Sequence, residues 1–407
     1  MNVTNIGLKD APACEITATI KAPGLISPRP FPIFYRFPRE FARSVQISGD
    51  PFVASLLPTA MRLGEPLVID APVSSRLLNA VPRIMAFYHS WDPTFKMIQV
   101  KALRRSEFSD SVSQNEALFF SCGVDSFYAL TKLADPGASN NLTHLILVHG
   151  FDIKLGDISL FERTRTAAEE VASYYEKRLV VVASNIREIT DQYLSWCYPQ
   201  GGILASVALC FGSFFRKIYL ASDLGPNERS APLTIHPDLD PLWSTGTTTL
   251  VHFGYGIGRA EKAKSLADNP MSQKHLRVCS QNRNGAYNCG RCSKCVRTML
   301  ALHLAGALPK FNFPTRLTPE LVRGIDYIPD RSAIIHAEHI VSELQRNGEL
   351  ELAAELSYAI RITYLRSLLG ALLSTEWGRH VLRRRLETLK SALLKNKLGR
   401  CILLRLV

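Results

Sequence analysis

The residues of this chain with the clearest chemistry lie between Ser121 and Ser126, in the order Ser-Cys-Gly-Val-Asp-Ser. Apolar residues precede them, as expected of a buried strand, and a segment with helical spacing follows from Val124 to Leu133. A helix that begins directly after a tight turn presents free N–H groups and the positive end of its dipole, so this order favours an anion. Gly123 allows a ligand to approach the backbone closely.

Asp125 would repel an anion unless a metal ion lay between the two. Mg²⁺ resolves this conflict, because proteins usually hold it with one or two carboxylates together with phosphate oxygens of the substrate. The segment therefore predicts a site for phosphate and Mg²⁺. A connection without a ligand is the alternative interpretation, because small residues alone would satisfy such a turn.

Four cysteines within seventeen residues form a second group: Cys279, Cys289, Cys292 and Cys295. Four thiolates on two closely spaced turns suit tetrahedral Zn²⁺, and four protein ligands leave no open position for catalysis. Such clustering indicates a metal site in a reducing compartment, so we expect a cytoplasmic protein. The alternatives are an iron–sulfur cluster or unligated core cysteines, and the charges of Arg291 and Lys294 between the thiols disfavour a core.

The loop from Ser121 to Ser126 resembles the Ser-Gly-Gly-x-Asp-Ser pyrophosphate loop of the PP-loop ATP pyrophosphatases, with Cys122 where that family has glycine. The cysteine cluster and the following residues 296–299 resemble those of one PP-loop family, the 7-cyano-7-deazaguanine synthases. Their Lys-x-Glu stretch is similar to Arg259-Ala-Glu261 here. The similarity covers residues 117–305, under half of the chain.

This resemblance implies a carbon–nitrogen ligase that cleaves ATP to AMP and pyrophosphate while it adenylates a carboxylate or amide oxygen, which ammonia or another amine then attacks. It implies ATP, Mg²⁺ and Zn²⁺ as cofactors. The residues implied to bind ATP are Ser121, Cys122, Gly123, Val124, Asp125 and Ser126, and those implied in catalysis are Asp125, Ser126, Arg259 and Glu261. Arg259 would neutralise phosphate charge, and Glu261 would orient it or help to hold the metal. Taken alone, both could be ordinary surface charges.

Two other functions stay open. One is tRNA thiolation, also a PP-loop activity, in which Cys122 or Cys197 would carry sulfur. The other is a nucleotide-binding or partner-binding protein without catalysis, in which Cys122 marks a decayed loop. Because the synthases are compact single-domain proteins, the additional modules here imply a different acceptor: a small molecule, or a larger or tethered one such as a modified base, a glycan precursor or a protein terminus.

The elements that position these residues alternate between strand and helix. Near-continuous apolar strands are expected at 143–149, 178–183 and 217–221, and helices at 158–177 and 201–215. Such alternation predicts a parallel sheet covered on both faces, with ligands at the carboxyl ends of its strands. His149 and Gly150 are therefore expected to join the ATP site, together with Ser184, Asn185, Ser222 and Asp223. We also expect a functional loop at 224–249, with His236, Asp238, Asp240 and Trp243; a surface excursion is the alternative.

The length of 407 residues predicts two or three domains. We expect an α+β module over 1–110, an α/β nucleotide-binding domain of the PP-loop (HUP) type with a zinc knuckle over 111–306, and a helical region over 307–407. The first module shows strand patterns at 15–21, 31–37, 66–70 and 96–101, and helical patterns at 52–63 and 75–91. Its expected roles are packing, homodimer formation or substrate selection.

Composition is that of a soluble protein, with 46% hydrophobic and 21% charged residues and no apolar run of membrane-spanning length. The net charge of +12 lies mainly in residues 361–407, which hold eleven Lys and Arg against two Glu. Leu382, Leu386, Leu389 and Leu393 form one stripe of a basic amphipathic helix. Such a helix binds nucleic acid, anionic lipid or an acidic partner, or docks on the body of the protein with a solvated basic face.

Overall fold

The computed structural model describes residues 1–9, 13–25, 30–106, 113–138, 140–225, 235–325 and 331–374. These residues belong to two compact units, Met1–Leu317 and Thr318–Val407. The basic segment 381–407 and its leucine stripe lie outside the described residues, as do residues 226–234 of the predicted functional loop. None of the described helices combines the length and the apolar composition that a bilayer crossing requires.

The described residues form twelve strands and twelve α-helices. The strands are β1 (Asn2–Lys9), β2 (Cys14–Lys21), β3 (Phe31–Phe37), β4 (Leu67–Ile69), β5 (Val73–Ser74), β6 (Val100–Lys101), β7 (Arg104–Arg105), β8 (Glu116–Phe119), β9 (Leu142–His149), β10 (Arg178–Ser184), β11 (Lys217–Ala221) and β12 (Thr249–Phe253). The helices are α1 (Asp50–Leu63), α2 (Ser75–Trp91), α3 (Val124–Leu133), α4 (Ile158–Tyr174), α5 (Ile186–Thr190), α6 (Gln200–Leu209), α7 (Arg259–Ser265), α8 (Pro270–His275), α9 (Ser293–Leu304), α10 (Pro319–Arg323), α11 (Arg331–Arg346) and α12 (Leu350–Ser374).

A ten-stranded sheet forms the centre of the first unit, in the order β12-β11-β8-β9-β10-β3-β2-β1-β4-β6. The five strands from β12 to β10 all pair in parallel. An α/β fold with a largely parallel central sheet is thereby confirmed. β8 lies between β11 and β9 in this sheet, so the carboxyl ends of the three strands place the segments that follow them at one edge.

The strands of the N-terminal segment continue the same sheet. β3 runs antiparallel to β10, with Ala183 opposite Arg36, and β2 and β1 follow with further antiparallel pairing. The Tyr35 hydroxyl donates to Ser206 Oγ at 2.9 Å in the buried contact between β3 and α6. The described residues before position 107 thus share a core with the α/β part of the unit. A separate N-terminal domain that ends at residue 110 stays a prediction.

The sheet separates two layers of packing. Ala117 and Phe119 of β8 contact one apolar core, which also contains buried residues of α1, α2 and α6. Leu118 and Phe120 contact the other core, which includes residues of α3, α4, α7 and α9. This alternation follows from the period of two in a strand, and both sets are apolar because helices cover both faces.

Two predicted elements are shorter than expected. The strand predicted at 96–101 comprises only Val100 and Lys101, and the helix predicted at 201–215 ends at Leu209. Gly212 has a φ of +54°, a left-handed conformation that an α-helix cannot continue, and residues 210–213 form turns.

The second unit is helical in its described residues. Apolar residues Ile334, Ala337, Ile340 and Leu344 of α11 are buried, as are Leu352, Leu356 and Ala359 of α12. Their spacing places each set on one helix face, and α11 packs against α12 along these faces. α10 also packs against α12, and Thr318 caps it by accepting a hydrogen bond from the N–H of Leu321.

Candidate functional site

The segment after β8 makes the tight turn that the sequence predicts. Gly123 is the extended N-cap residue of α3, so the first N–H groups of the helix face the turn. Ser126 Oγ donates a hydrogen bond to the carbonyl of Gly123 at 3.1 Å. The same hydroxyl accepts a hydrogen bond from the N–H of Ser121 at 3.4 Å. Ser126 therefore stabilises the shape of the loop, which is the arrangement that an anion site requires.

Cys122 adopts a conformation that favours glycine. Its φ is +59°, a region that costs an L-residue roughly 1–2 kcal/mol. The side chain is fully buried in the core beside α3, and its thiol hydrogen-bonds with Tyr287. Burial raises the pKa of the thiol to about 12. The cysteine thus packs into the core, so its side chain does not fill the surface of the loop.

A cluster of charges lies at the mouth of α3. Arg259 Nη2 donates to Asp125 Oδ2 at 2.7 Å, and Lys262 Nζ lies 3.8 Å from Asp125 Oδ1. Both cations come from the first turns of α7, which packs on α3. Burial would lower the pKa of Arg259, but the carboxylates of Asp125 and Asp223 outweigh this effect and raise it. A carboxylate held between two cations is the central feature of this site.

A second carboxylate belongs to the same cluster. Asp223 follows β11, and burial together with the nearby charge of Asp125 raises its pKa. Lys294, at the start of α9, interacts electrostatically with both Asp223 and Arg259. Two neighbouring carboxylates beside cations and a helix N-terminus match the ligands that Mg²⁺ and phosphate take in proteins.

His149 and Gly150 lie at the carboxyl end of β9, next to β8. The ring of His149 stacks on Phe161 at 3.9 Å and its Nε2 donates to the carbonyl of Lys154 at 3.1 Å. Burial lowers the pKa of His149. A Cβ on Gly150 would lie 2.0 Å from the carbonyl oxygen of Ser184, so this turn passes directly against the end of β10. Both residues shape the edge of the sheet beside the loop.

Three other residues expected near the site have mainly structural contacts. Asn185 joins β10 to β3, because its side chain bonds the N–H of Phe34 and the carbonyl of Pro32. Asp240 is fully buried, with its Oδ2 2.8 Å from His252 Nδ1. His236 packs on the rings of Phe87 and Trp91. Asp240 and His236 therefore hold the loop before β12 against α2 and β12.

The structure places Glu261 and Lys262 very differently. Glu261 is exposed on α7, where its charge acts on Tyr128, whereas Lys262 is fully buried and donates to the carbonyl of Ser222. Sequence reasoning placed Asp223 at this edge of the sheet but missed Lys262 and Lys294 as members of the cluster. For Lys262 a signal existed, because residues three apart lie on one helix face and Arg259 is three residues earlier.

The four cysteines converge on one point. Their sulfur atoms all lie within 4.8 Å of one another, and two pairs, Cys279 with Cys292 and Cys289 with Cys295, are 4.0 Å apart. Tetrahedral zinc with Zn–S bonds of about 2.3 Å requires sulfur atoms about 3.8 Å apart, so the arrangement fits zinc. The N–H of Cys292 also donates to Cys289 Sγ at 3.3 Å, so the backbone of this turn helps to hold the sulfur in place. Within the described part of the chain this is the one such group of His, Cys, Asp and Glu side chains.

Comparisons of the chain with protein-family models, curated proteins and solved structures found no match.

Proposed function

We propose that the chain is an ATP pyrophosphatase of the PP-loop type, which adenylates a carboxylate or amide oxygen of an acceptor for attack by ammonia or another amine. The observation that carries the proposal is the Asp125 carboxylate in the first turn of α3, held between Arg259 and Lys262. Structural zinc at Cys279, Cys289, Cys292 and Cys295 belongs to the proposal, as does a reducing compartment such as the cytoplasm.

The charges support this chemistry for a physical reason. When an acceptor oxygen attacks the α-phosphorus of ATP, negative charge builds on the departing pyrophosphate. Positive charge and N–H donors must then surround the β- and γ-phosphates. The N-terminus of α3 supplies N–H donors, and Arg259 offers a guanidinium that can grip two phosphate oxygens.

Mg²⁺ has suitable ligands here. The charge of Asp125 acts on the carboxylate of Asp223, and a divalent cation between the two would remove their repulsion and neutralise phosphate charge. Arg259 and Lys262 lie against Asp125 and offset its charge. Binding of MgATP would thus exchange one set of ion pairs for another, with Arg259 passing from Asp125 to phosphate.

The properties of Cys122 favour this proposal over sulfur transfer through that residue. A thiol with a pKa of about 12 is almost entirely protonated at neutral pH, and the thiolate is the nucleophile in sulfur chemistry. The burial of Cys122 also argues against a loop that has lost its ligand, because the side chain lies in the core and leaves the loop surface free.

The test is product analysis with ATP, Mg²⁺ and candidate acceptors. We expect AMP and pyrophosphate, and we expect Asp125→Asn to lower their release by about 10²-fold because it removes a charge without changing shape. The matched control is Asp135→Asn just beyond the other end of α3, where the side chain is exposed. Cys122→Gly should retain activity, because glycine accepts the positive φ without strain.

Four outcomes would contradict the proposal or part of it. ADP and phosphate as products, or full turnover by Asp125→Asn, would refute the PP-loop chemistry. Tight nucleotide binding without turnover under any acceptor would favour a binding protein. Loss of activity in Cys122→Gly would point to a working thiol and would favour thiolation. Mass spectrometry of products formed from cell metabolites would identify the acceptor, a small molecule or a modified base.

A further inference from the structure

We propose that His252 and Asp240 form a proton-accepting pair for the amine that attacks the adenylated acceptor. The inference rests on the proposed function, because it names the group that removes a proton in the second half of that reaction. His252 would be the catalytic residue, in contact with the amine, and Asp240 a positioning residue that acts through the imidazole ring. Neither belongs to the charge cluster around Asp125.

The geometry of the pair is that of an oriented base. His252 Nδ1 lies 2.8 Å from Asp240 Oδ2, and the two side chains are only 3% and 0% exposed. A carboxylate accepts hydrogen bonds and donates none, so Nδ1 carries the proton in this contact. The lone pair of the neutral ring is then on Nε2. Bases that activate nucleophiles in enzymes share this arrangement, in which a further group fixes the orientation of the ring.

The turn that carries Asp240 is fixed in place. Residues Asp240–Trp243 form a 3-10 turn, and the side chain of Trp243 is fully buried. The hydroxyl of Ser244 accepts a hydrogen bond from the N–H of Leu250 at 3.0 Å, which attaches the turn to β12. The carboxylate is therefore preorganised against the histidine.

Two polar atoms of the pair are left over. Among the described residues, neither His252 Nε2 nor Asp240 Oδ1 has a hydrogen-bond partner, although both atoms are buried. A buried polar atom without a partner costs about 1–3 kcal/mol, so two in one pair call for a ligand. Both atoms are acceptors, and the carboxylate favours positive charge. An ammonium ion or a protonated amine has the donors and the charge that suit them.

The pair lies at the edge of the sheet that carries the charge cluster. His252 is the second-last residue of β12, and the N–H of Ser222 donates to the carbonyl of Phe253 at 2.8 Å beyond the end of β11. Lys262 donates to the carbonyl of Ser222, and a Cβ on Gly254 would lie 3.8 Å from Lys262 Cε. The chain two residues after His252 therefore contacts a lysine of the cluster.

The topology places the pair and the loop after β8 on opposite faces of one crevice. The chain passes from β8 through α3 to β9 on one side, and from β10 through α6 to β11 on the other side of β8. α3 belongs to one core and α6 to the other. Leu250 packs in the core of α6, and His252, two residues later, lies on the same face of β12. Open parallel sheets bind ligands where the strand order reverses in this way. A nucleotide on the α3 side and an amine on the α6 side would meet there.

The step itself is a proton transfer followed by acyl transfer. His252 Nε2 takes one proton from the ammonium ion, and the freed lone pair of nitrogen forms the bond to the acyl carbon. The bond from that carbon to the oxygen of AMP breaks, with its electron pair on AMP. Nitrogen loses its second proton to water, and the amide remains.

The experiment compares two nucleophiles that differ in their need for a base. At neutral pH ammonium must lose a proton before it attacks, whereas hydroxylamine is largely neutral already. A heat-treated cell extract freed of ammonium supplies the acceptors, and AMP formation is measured with ammonium chloride or with hydroxylamine. We expect His252→Gln to lower AMP formation by about 10²-fold with ammonium, the usual effect of a general base, and by less than about threefold with hydroxylamine. Asp240→Asn should show the same selectivity, because the ring loses its orienting charge.

The matched control is His144→Gln. His144 is also a buried histidine whose Nε2 has no partner among the described residues, but it lies near the amino end of β9. It should leave the ratio of the two rates unchanged. Because the two rates are compared within each variant, a reduced fraction of folded protein does not affect the result. Nitrogen NMR of the wild-type protein adds a measurement without a variant: in the neutral ring of His252 the proton should be on Nδ1.

The two hypotheses fail in different ways. Wild-type protein that forms no AMP with either nucleophile would refute the proposed function, and the inference with it. Active wild-type protein whose His252→Gln variant loses both reactions equally, or neither, would overturn the role of His252 alone. A proton on Nε2 of the neutral ring would also overturn it.

Discussion

The ammonium of Lys262 lies 3.8 Å from a carboxylate oxygen of Asp125, although the side chain of this lysine is fully buried. A buried lysine is rare unless partners compensate its charge. Here Asp125, the carbonyl of Ser222 and the ring of Tyr128 surround the ammonium, with the ring centroid 5.5 Å away. Lys262 thus connects the segments that follow β8 and β11 through α7.

We predict that Lys262→Met lowers AMP formation by about 10²-fold, because the site loses a positive charge in surroundings where charge is poorly screened. The variant should also be less stable, since the carbonyl of Ser222 loses its donor. Glu261→Gln is the matched comparison on the same helix turn, and we expect it to change activity by less than about threefold because exposed charges contribute little. Steady-state rates and urea denaturation measure both effects.

The opposite ranking would change the assignment. If Glu261→Gln costs as much activity as Lys262→Met, Glu261 acts in the reaction as the resemblance implied, through a rearrangement that brings it to the nucleotide. If neither substitution matters, neither residue contributes to catalysis, and the contribution of α7 is limited to Arg259.

Much of the α/β core could be predicted because its signals are local. The apolar runs at 143–149 and 178–183 correspond to β9 and β10 within one residue at each end. The extension of the sheet by β3, β2 and β1 could not be predicted, because the pairing of Ala183 with Arg36 joins residues far apart in the chain. No periodicity within either segment specifies such a partner.

The site shows the same division. Asp125, Ser126 and the cysteines belong to compact motifs whose spacing carries the chemistry, so sequence alone could single them out. Asp223 could be placed at this edge of the sheet because it follows an apolar strand, whereas Lys294 belongs to a separate element that only the tertiary structure brings near Arg259. Lys262 is buried and Glu261 exposed because of the face of α7 that packs on α3. Residue type alone does not predict which face that is.

The metal site yields a second prediction. Purified protein should contain about one zinc per chain, and Cys292→Ser should remove it and lower stability by several kcal/mol, because the metal's binding energy contributes to folding. Pyrophosphate binding should be lost together with the metal, since the knuckle, residues 277–297, contacts the loop after β8 through the hydrogen bond from the Arg277 N–H to the carbonyl of Cys122. Cys197→Ser, outside the knuckle and half-buried, is the control and should retain zinc. Elemental analysis and calorimetry provide the measurements.

If the purified protein contains iron and absorbs visible light, the cysteines hold an iron–sulfur cluster and the assignment of zinc is wrong. Metal-free protein with normal stability would refute the metal site. Chelation that removes zinc and leaves pyrophosphate binding intact would separate the knuckle from the nucleotide site.

A third prediction concerns Glu116, at the start of β8. Its side chain is fully buried and accepts hydrogen bonds from Tyr219 at 2.7 Å and from Nε of Arg216 at 2.8 Å. Burial alone would raise the pKa of Glu116, but the hydrogen bonds from Tyr219 and Arg216 outweigh it and the pKa is lowered. The folded protein therefore prefers the carboxylate more strongly than the unfolded chain does.

The sign of the pH dependence follows from this lowered pKa. The stabilisation by Glu116 is fully present above its unfolded pKa near 4.5 and is lost as the pH falls through the lower pKa of the folded state. We expect Glu116→Gln to reduce the free energy of unfolding by about 2 kcal/mol at neutral pH, and the deficit to shrink below about pH 4. Glu162→Gln, which disrupts an exposed ion pair with Arg165 on α4, should cost less than about 1 kcal/mol. Urea denaturation across this pH range decides the matter, because a deficit that stays constant with pH would mean that Glu116 stabilises the sheet without its charge.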